Sequence, residues 1–183
     1  ERTNMMINAL PSSLSNTEIY RFIELKSRIE ISGQRNRCMY ALRLAGLRIK
    51  DIATMTINQI VNAADLTPKR VFLSKFDSLQ YELSSDVQAE LTRYLLSRFQ
   101  IADIKQLPLT SLFDVVFPNS KSKVRGFSPE TLARLFSVTD KQIHEFAQAL
   151  KAPVNSANRR FQSLFFQKDS NLATAPQTLS MSV

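Results

Sequence analysis

The apolar residues of this chain change their spacing once, and that change constrains the fold more than any other feature. Over most of the sequence they recur every three or four positions, which is typical of amphipathic helices. Residues 70–84 differ, because RVFLSK and QYELS alternate apolar and polar side chains on either side of FDSL. Glycine, a weak helix former, occurs only three times. We therefore predict an α+β fold that is mostly helical and contains a small β-hairpin or sheet.

Capping signals set the expected limits of the first helices. Ser15 and Glu18 have the spacing of a capping box, so the first helix is predicted to begin there. The sequence Ser-Gly-Gln at 32–34 is expected to end it. Gly46 is expected to end the second helix, because glycine adopts the left-handed cap conformation at little cost. A short third helix is predicted over 49–55.

The second half of the chain is predicted to return to helix after the hairpin. One of the two serines at 84–85 caps the first of these helices, and Ser-Pro at 128–129 begins another after an irregular stretch. Two further, separate helices are expected, over 139–150 and 155–167.

The expected domain organisation has three parts. Residues 1–14 are predicted to be a lead-in, 15–167 a single domain, and 168–183 a polar, flexible tail. A chain of 183 residues is long enough for one domain with a substantial apolar core.

The chain is strongly basic, with a formal net charge of +8 and an isoelectric point of about 9.9. Residues 1–60 carry nine Lys and Arg against five Asp and Glu, and residues 121–183 carry nine against four. Residues 61–120 are close to neutral. If both ends lie on one face, that face attracts a polyanion such as nucleic acid. The alternative is a generally basic surface whose charge only keeps the protein soluble.

The sequence also excludes several classes of protein. No apolar run reaches the length of a membrane span and no signal-peptide pattern opens the chain, so we expect a soluble, cytoplasmic protein without a membrane partner. Cys38 is the only cysteine, which excludes an internal disulfide and a cysteine-based zinc site. We expect no metal and no cofactor, because the sequence shows no ligand cluster. The first residue is not Met, which leaves open that the sequence is a fragment.

Three sequence elements resemble one family of DNA enzymes. The turn Ala-Gly-Leu-Arg at 45–48 leads into a helix with Asp51 in its first turn, and Lys75 lies in the hairpin turn ahead of a serine-capped helix. The segment VVFPNSKSKVRGFSPETLARLF follows as a linker and a helix. Together these elements, over residues 14–136, resemble the catalytic domain of tyrosine recombinases, the phage-integrase family.

The resemblance implies an integrase-like fold and a site that holds a DNA phosphate. Arg48 corresponds to the first of two arginines that clamp non-bridging phosphate oxygens, since an arginine fork binds two of them at once. Arg159, in the segment SANRRF, takes the place of the second, with Arg160 as the basic residue after it. Lys75 takes the place of the lysine that protonates the leaving oxygen. The alternative for each residue is an ordinary solvated surface cation.

The chain departs from the family where catalysis requires specific groups. Ser156 replaces the histidine of the second arginine motif, and none of the four tyrosines follows Arg159. His144, the only histidine, does not head such a motif, because the residue three positions later is Ala147. The resemblance therefore implies a degenerate member with no catalytic residues, which is closer to a binding protein than to an enzyme.

A basic loop adds three candidate phosphate ligands, Lys121, Lys123 and Arg125. Their charges would suit a segment that follows a nucleic-acid backbone. A linker between two helices has the same composition, so both interpretations remain open.

Three functions remain open from the sequence. The one we expect is a non-catalytic, nucleoid-associated protein that binds double-stranded DNA, and assembly into a homo-oligomer on the DNA is left open. It would regulate transcription, replication or the maintenance of a plasmid or other mobile element. The second is a fragment of an active site-specific recombinase, whose tyrosine lies outside this sequence or comes from another subunit. The third is a protein–protein interaction module with no DNA role.

Overall fold

The computed structural model describes residues 14–119 and 125–151. Several predictions concern residues outside these ranges. They include the helix over 155–167, the lead-in over 1–13 and the tail over 168–183. The same holds for the candidate phosphate ligands Lys121, Lys123, Arg159 and Arg160.

The described residues are mostly helical and contain one small antiparallel sheet, which confirms the predicted α+β class. The α-helices and strands are α1 (Asn16–Lys26), α2 (Glu30–Leu44), α3 (Ile49–Thr54), β1 (Val71–Leu73), β2 (Gln80–Glu82), α4 (Ser85–Phe99) and α5 (Pro129–Lys151). Short 3-10 helices cover Ile57–Gln59, Ile104–Gln106 and Leu109–Phe113. No helix in the described ranges has both the length and the apolar character that crossing a bilayer requires.

The chain divides into two compact units. The larger unit, Ser15–Thr139, contains every element from α1 to the first half of α5. The described part of the other unit is Leu14 and residues 140–151, which form the second half of α5. In that half Ile143, Phe146 and Ala147 are buried, as the helical spacing of these residues predicts.

The first helix begins where its capping signal predicts, but it ends earlier than expected. The Ser15 hydroxyl accepts a hydrogen bond from the Glu18 amide at 3.2 Å. The prediction that Ser-Gly-Gln at 32–34 breaks the helix is wrong, because α1 ends at Lys26 and these residues lie inside α2. A β-carbon on Gly33 would lie 2.4 Å from the Glu24 carbonyl oxygen. Gly33 therefore permits close packing of α1 against α2 rather than ending a helix.

The second helix ends at the predicted glycine, and this turn determines where α3 starts. Gly46 has a φ of 97°, in the left-handed region that glycine adopts without strain. Leu47 is buried, and Arg48 is the N-cap residue of α3. The prediction of a short helix after this turn is confirmed.

The hairpin forms at the position that the alternating pattern predicts. Phe72 pairs with Tyr81 across the two strands, and its side chain is fully buried. The turn is closed by the Ser74 amide, which donates to the Leu79 carbonyl at 3.0 Å. The next helix, α4, is capped by Ser84, whose hydroxyl accepts from the Val87 amide at 3.3 Å.

The prediction that a new helix begins at residue 139 is wrong. Residues 129–151 form one continuous helix, not two separate ones. Thr139, expected at the start of a new helix, instead donates its hydroxyl proton to the Leu135 carbonyl at 2.8 Å. This hydrogen bond satisfies the threonine inside the helix, so it does not act as a cap.

The core of the Ser15–Thr139 unit is built from aromatic and aliphatic side chains of several helices. Tyr40 of α2 meets Phe136 of α5 edge to face, with ring centroids 6.1 Å apart. Tyr94 of α4 packs on Phe117 at 5.2 Å. Both tyrosines are buried.

A network of four charged side chains ties three helices together at the edge of this core. Arg37 of α2 donates two hydrogen bonds to Glu90 of α4, at 2.7 and 2.9 Å, and a third to Glu24 of α1 at 3.0 Å. Arg93 of α4 also donates to Glu24, at 2.8 Å. These half-buried ion pairs fix the relative positions of α1, α2 and α4.

Candidate anion-binding site

Arg48 lies against the hairpin turn, which the sequence places more than twenty residues away. Its Nε donates to Asp51 Oδ2 at 2.8 Å, and its Nη2 donates to Ser74 Oγ at 3.0 Å. Its two terminal nitrogens also hold the carboxylate of Asp77, with Nη1 to Oδ2 at 2.6 Å and Nη2 to Oδ1 at 3.1 Å. The guanidinium thus binds one carboxylate from its own helix and a second one from the turn.

Asp51 and Ser74 form the inner part of this site. The Asp51 side chain is fully buried and accepts a hydrogen bond from Ser74 Oγ at 2.7 Å, in addition to the one from Arg48. Ser74 Oγ also accepts from the Phe76 amide at 3.1 Å. A buried carboxylate with two donors is a fixed anchor, so these contacts hold the Arg48 guanidinium in one orientation.

Asp77 forms the outer part of the site. Its side chain is exposed on the hairpin turn, and its Oδ1 also accepts from the Leu79 amide at 3.0 Å. Hydrogen bonds from Arg48 lower the pKa of Asp77, so the carboxylate is charged at neutral pH. In the other direction, hydrogen bonds to Asp77 and Asp51 raise the pKa of Arg48 above its usual value.

Lys75 follows Ser74 in the same turn and reaches the opposite end of α3. Its Nζ donates to the Thr54 carbonyl at 3.2 Å, in the last turn of that helix. Partial burial lowers the pKa of Lys75. Six helical residues span about 9 Å, so Arg48 at the N-cap and Lys75 at the last turn put one cation at each end of a short helix.

Two further cations lie near this site, one on α3 itself and one on a segment that contacts α3. Lys50 is exposed on α3, and its Nζ lies 4.9 Å from the centre of the Phe76 ring. Arg125 is exposed, and the backbone amide of Asn119 donates to the Arg125 carbonyl at 2.9 Å. The next residue, Gly126, packs directly on α3, since a β-carbon there would lie 2.0 Å from the Ala53 carbonyl oxygen.

Tyr81 of β2 is half-buried beside Arg48 and its two carboxylates. Burial raises the pKa of Tyr81, and this effect outweighs the opposing charge of Arg48. The side chain is therefore a neutral phenol at physiological pH.

The structure brings three of the predicted phosphate ligands onto segments that meet at α3. These are Arg48, Lys75 and Arg125. Ser74, Asp77 and Lys50 also belong to this site, although the sequence did not predict them there. The only local signal was the polar turn composition of SKFDSL, which marks a turn but not the arginine that it contacts.

Comparisons of this chain with protein-family models, with curated proteins and with solved structures found no match. Among residues 14–119 and 125–151, no group of three or more His, Cys, Asp and Glu side chains is arranged to hold a metal ion.

Proposed function

We propose that this protein binds double-stranded DNA through its phosphates, around α3 and the hairpin turn, and does not cut the strand. One observation carries this proposal. Asp51 and Ser74 hold the Arg48 guanidinium in place through hydrogen bonds on its inner side. Its outer side donates to both oxygens of the exposed Asp77 carboxylate. A phosphodiester presents two non-bridging oxygens to an arginine fork in the same bidentate way.

The charges around Arg48 favour a polyanion over a single small anion. Lys50, Lys75 and Arg125 lie on the same helix or on segments that contact it, and the chain as a whole carries a net charge of +8. Several phosphates along one DNA strand could be contacted by such a group of cations. Binding of this kind releases counterions and does not depend on base sequence.

The resemblance to tyrosine recombinases supports both parts of the proposal. Arg48, Asp51 and Lys75 match the phosphate-binding elements of that family, and an integrase-like fold is part of what we propose. Ser156 stands where the family has a histidine, which argues against cutting of the strand. Tyr81, the tyrosine beside Arg48, is half-buried, and this burial raises its pKa.

A non-cutting DNA-binding protein of this kind acts by occupying DNA. We propose that it associates with the nucleoid in the cytoplasm, where it regulates transcription, replication or the maintenance of a mobile element. Assembly of several copies on one duplex is compatible with this role.

The direct test is a titration of a labelled duplex of random sequence, followed by fluorescence anisotropy at several salt concentrations. We expect binding at low salt and a linear fall of log K with log salt, with a slope of about −0.9 for each phosphate contacted. Nicked and supercoiled DNA should give no covalent protein–DNA product on a denaturing gel. Absence of binding at low salt would refute DNA binding, and a covalent product would refute the non-catalytic role and favour an active recombinase.

A second candidate function, a protein–protein interaction module, is favoured by exposed apolar side chains of the hairpin. These are Val71 and Leu73 on β1, and Phe76 and Leu79 in the turn. Exposed apolar side chains close together in the chain are typical of protein-binding surfaces. If this is the main function, Leu73→Gln abolishes binding of a protein partner, and Arg48→Gln leaves that binding intact.

A further inference from the structure

We propose that Asp77 occupies the phosphate position on Arg48 in the free protein, so that a DNA phosphate must displace it before binding. The inference rests on the proposed function and adds a regulatory contact to the same site. Asp77 then limits DNA affinity, and its removal should strengthen binding rather than weaken it.

The geometry of Asp77 is that of an oxyanion ligand. Both of its carboxylate oxygens accept hydrogen bonds from the terminal nitrogens of Arg48, at 2.6 and 3.1 Å. A phosphodiester would use the same two nitrogens, so the carboxylate and the phosphate compete for one position.

The two carboxylates on Arg48 differ in a way that assigns them different roles. The Asp51 side chain has 0% of its surface exposed, whereas that of Asp77 is 37% exposed. A buried, doubly hydrogen-bonded carboxylate cannot leave without a large loss of stability. A surface ion pair contributes little net free energy, so an incoming anion can replace Asp77.

The hairpin turn does not depend on the contact between Asp77 and Arg48. The Ser74 amide donates to the Leu79 carbonyl, and the Ser74 hydroxyl accepts from the Phe76 amide. If the Asp77 side chain moves away from Arg48, the turn loses at most the hydrogen bond from the Leu79 amide to Asp77 Oδ1, and the two Ser74 hydrogen bonds keep it closed. Lys50 and Tyr81 also face this cluster, and Lys50 can stabilise either the displaced carboxylate or the arriving phosphate.

The experiment compares the variants Asp77→Asn and Asp65→Asn in the same DNA titration. Asp65 is a matched control, because it is exposed on another turn and accepts hydrogen bonds from the amide and the hydroxyl of Thr67. Both substitutions raise the net charge by one and retain a side-chain oxygen for the turn. We expect Asp77→Asn to bind about two- to fivefold more tightly than Asp65→Asn.

The same substitutions in an Arg48→Gln background show whether the gain in DNA affinity acts through Arg48. There the Asp77→Asn substitution should give no gain beyond that of Asp65→Asn. Equal affinities of the two single variants, or a gain that persists without Arg48, would overturn the inference.

A titration with inorganic phosphate separates this inference from the proposed function. The Nε–H signal of Arg48, observed by NMR, should respond at lower phosphate concentration in Asp77→Asn than in the wild-type protein or in Asp65→Asn. If the wild-type protein does not bind DNA, the proposed function is wrong, but this response would still establish Asp77 as a competitor for the anion. Identical responses in all three proteins would refute the inference even if DNA binds.

Discussion

Arg48 and Asp51 form an ion pair of 2.8 Å in which the carboxylate is completely buried and the guanidinium keeps 29% of its surface exposed. They lie three residues apart, at the N-cap and in the first turn of α3. This ion pair holds the partly exposed Arg48 side chain against the interior of the protein. Asp77, the second acidic partner of Arg48, lies on the surface, so the two carboxylates should respond differently to substitution.

Asp51→Asn should destabilise the fold by about 1–3 kcal/mol, because the amide group of Asn cannot accept from both Arg48 and Ser74 without leaving its own donors unpaired. Asp77→Asn should leave the urea midpoint of unfolding nearly unchanged, because its carboxylate is exposed. Urea unfolding followed by circular dichroism measures both. A large loss of stability in Asp77→Asn would show that this residue is structural.

Gly33→Ala should destabilise the protein although alanine is the better helix former. The helix propensity gained is about 1 kcal/mol, whereas overpacking costs about 1–3 kcal/mol when the neighbour is backbone. The neighbour here is the Glu24 carbonyl, 2.4 Å from the added carbon. Ser32→Ala, one residue earlier in α2, is the control and should change the unfolding free energy by no more than about 0.5 kcal/mol. A gain of stability in Gly33→Ala would contradict the close helix packing described here.

The ion-pair network should make stability depend on pH through Glu24. Burial alone would raise the pKa of Glu24, but hydrogen bonds and charge from Arg93 and Arg37 outweigh burial and lower it. A carboxylate with a lowered pKa contributes stability that is present above its unfolded-state pKa and is lost as pH falls through the folded-state pKa. The contribution should therefore be complete at pH 7 and decline as the solution is acidified below about pH 5.

Glu24→Gln isolates this contribution. The difference in unfolding free energy between the wild-type protein and Glu24→Gln should be largest near pH 7, at about 1–3 kcal/mol, and should shrink toward pH 3. Urea unfolding at a series of pH values measures it. A difference that stays constant over this range would mean that Glu24 does not titrate with folding.

The features that the sequence predicted correctly depend on neighbouring residues. The cap at Ser15, the end of α2 at Gly46 and the hairpin within residues 70–84 all follow from local composition and spacing. Such signals act over a few residues, and no distant contact overrides them here.

The features that the sequence did not predict depend on distant contacts. Gly33 is required by the backbone of a neighbouring helix, so its low helix propensity was misleading. The sequence indicates Arg48 as a phosphate ligand, but the contacts of Arg48 with Ser74 and Asp77 join residues 26 and 29 positions apart. A pattern along the chain cannot show which turn approaches which helix, so the contact between Asp77 and Arg48 could not be predicted.

The most direct test of DNA binding through Arg48 is the salt dependence of affinity for the Arg48→Gln variant. Arg28→Gln is the matched control, because Arg28 is exposed in the connection between α1 and α2 and the substitution removes the same charge. We expect Arg48→Gln to bind a duplex about tenfold more weakly at low salt and to lower the magnitude of the log–log slope by about 0.9, with Arg28→Gln close to wild type. Equal affinities and slopes for the two variants would contradict the phosphate site at Arg48.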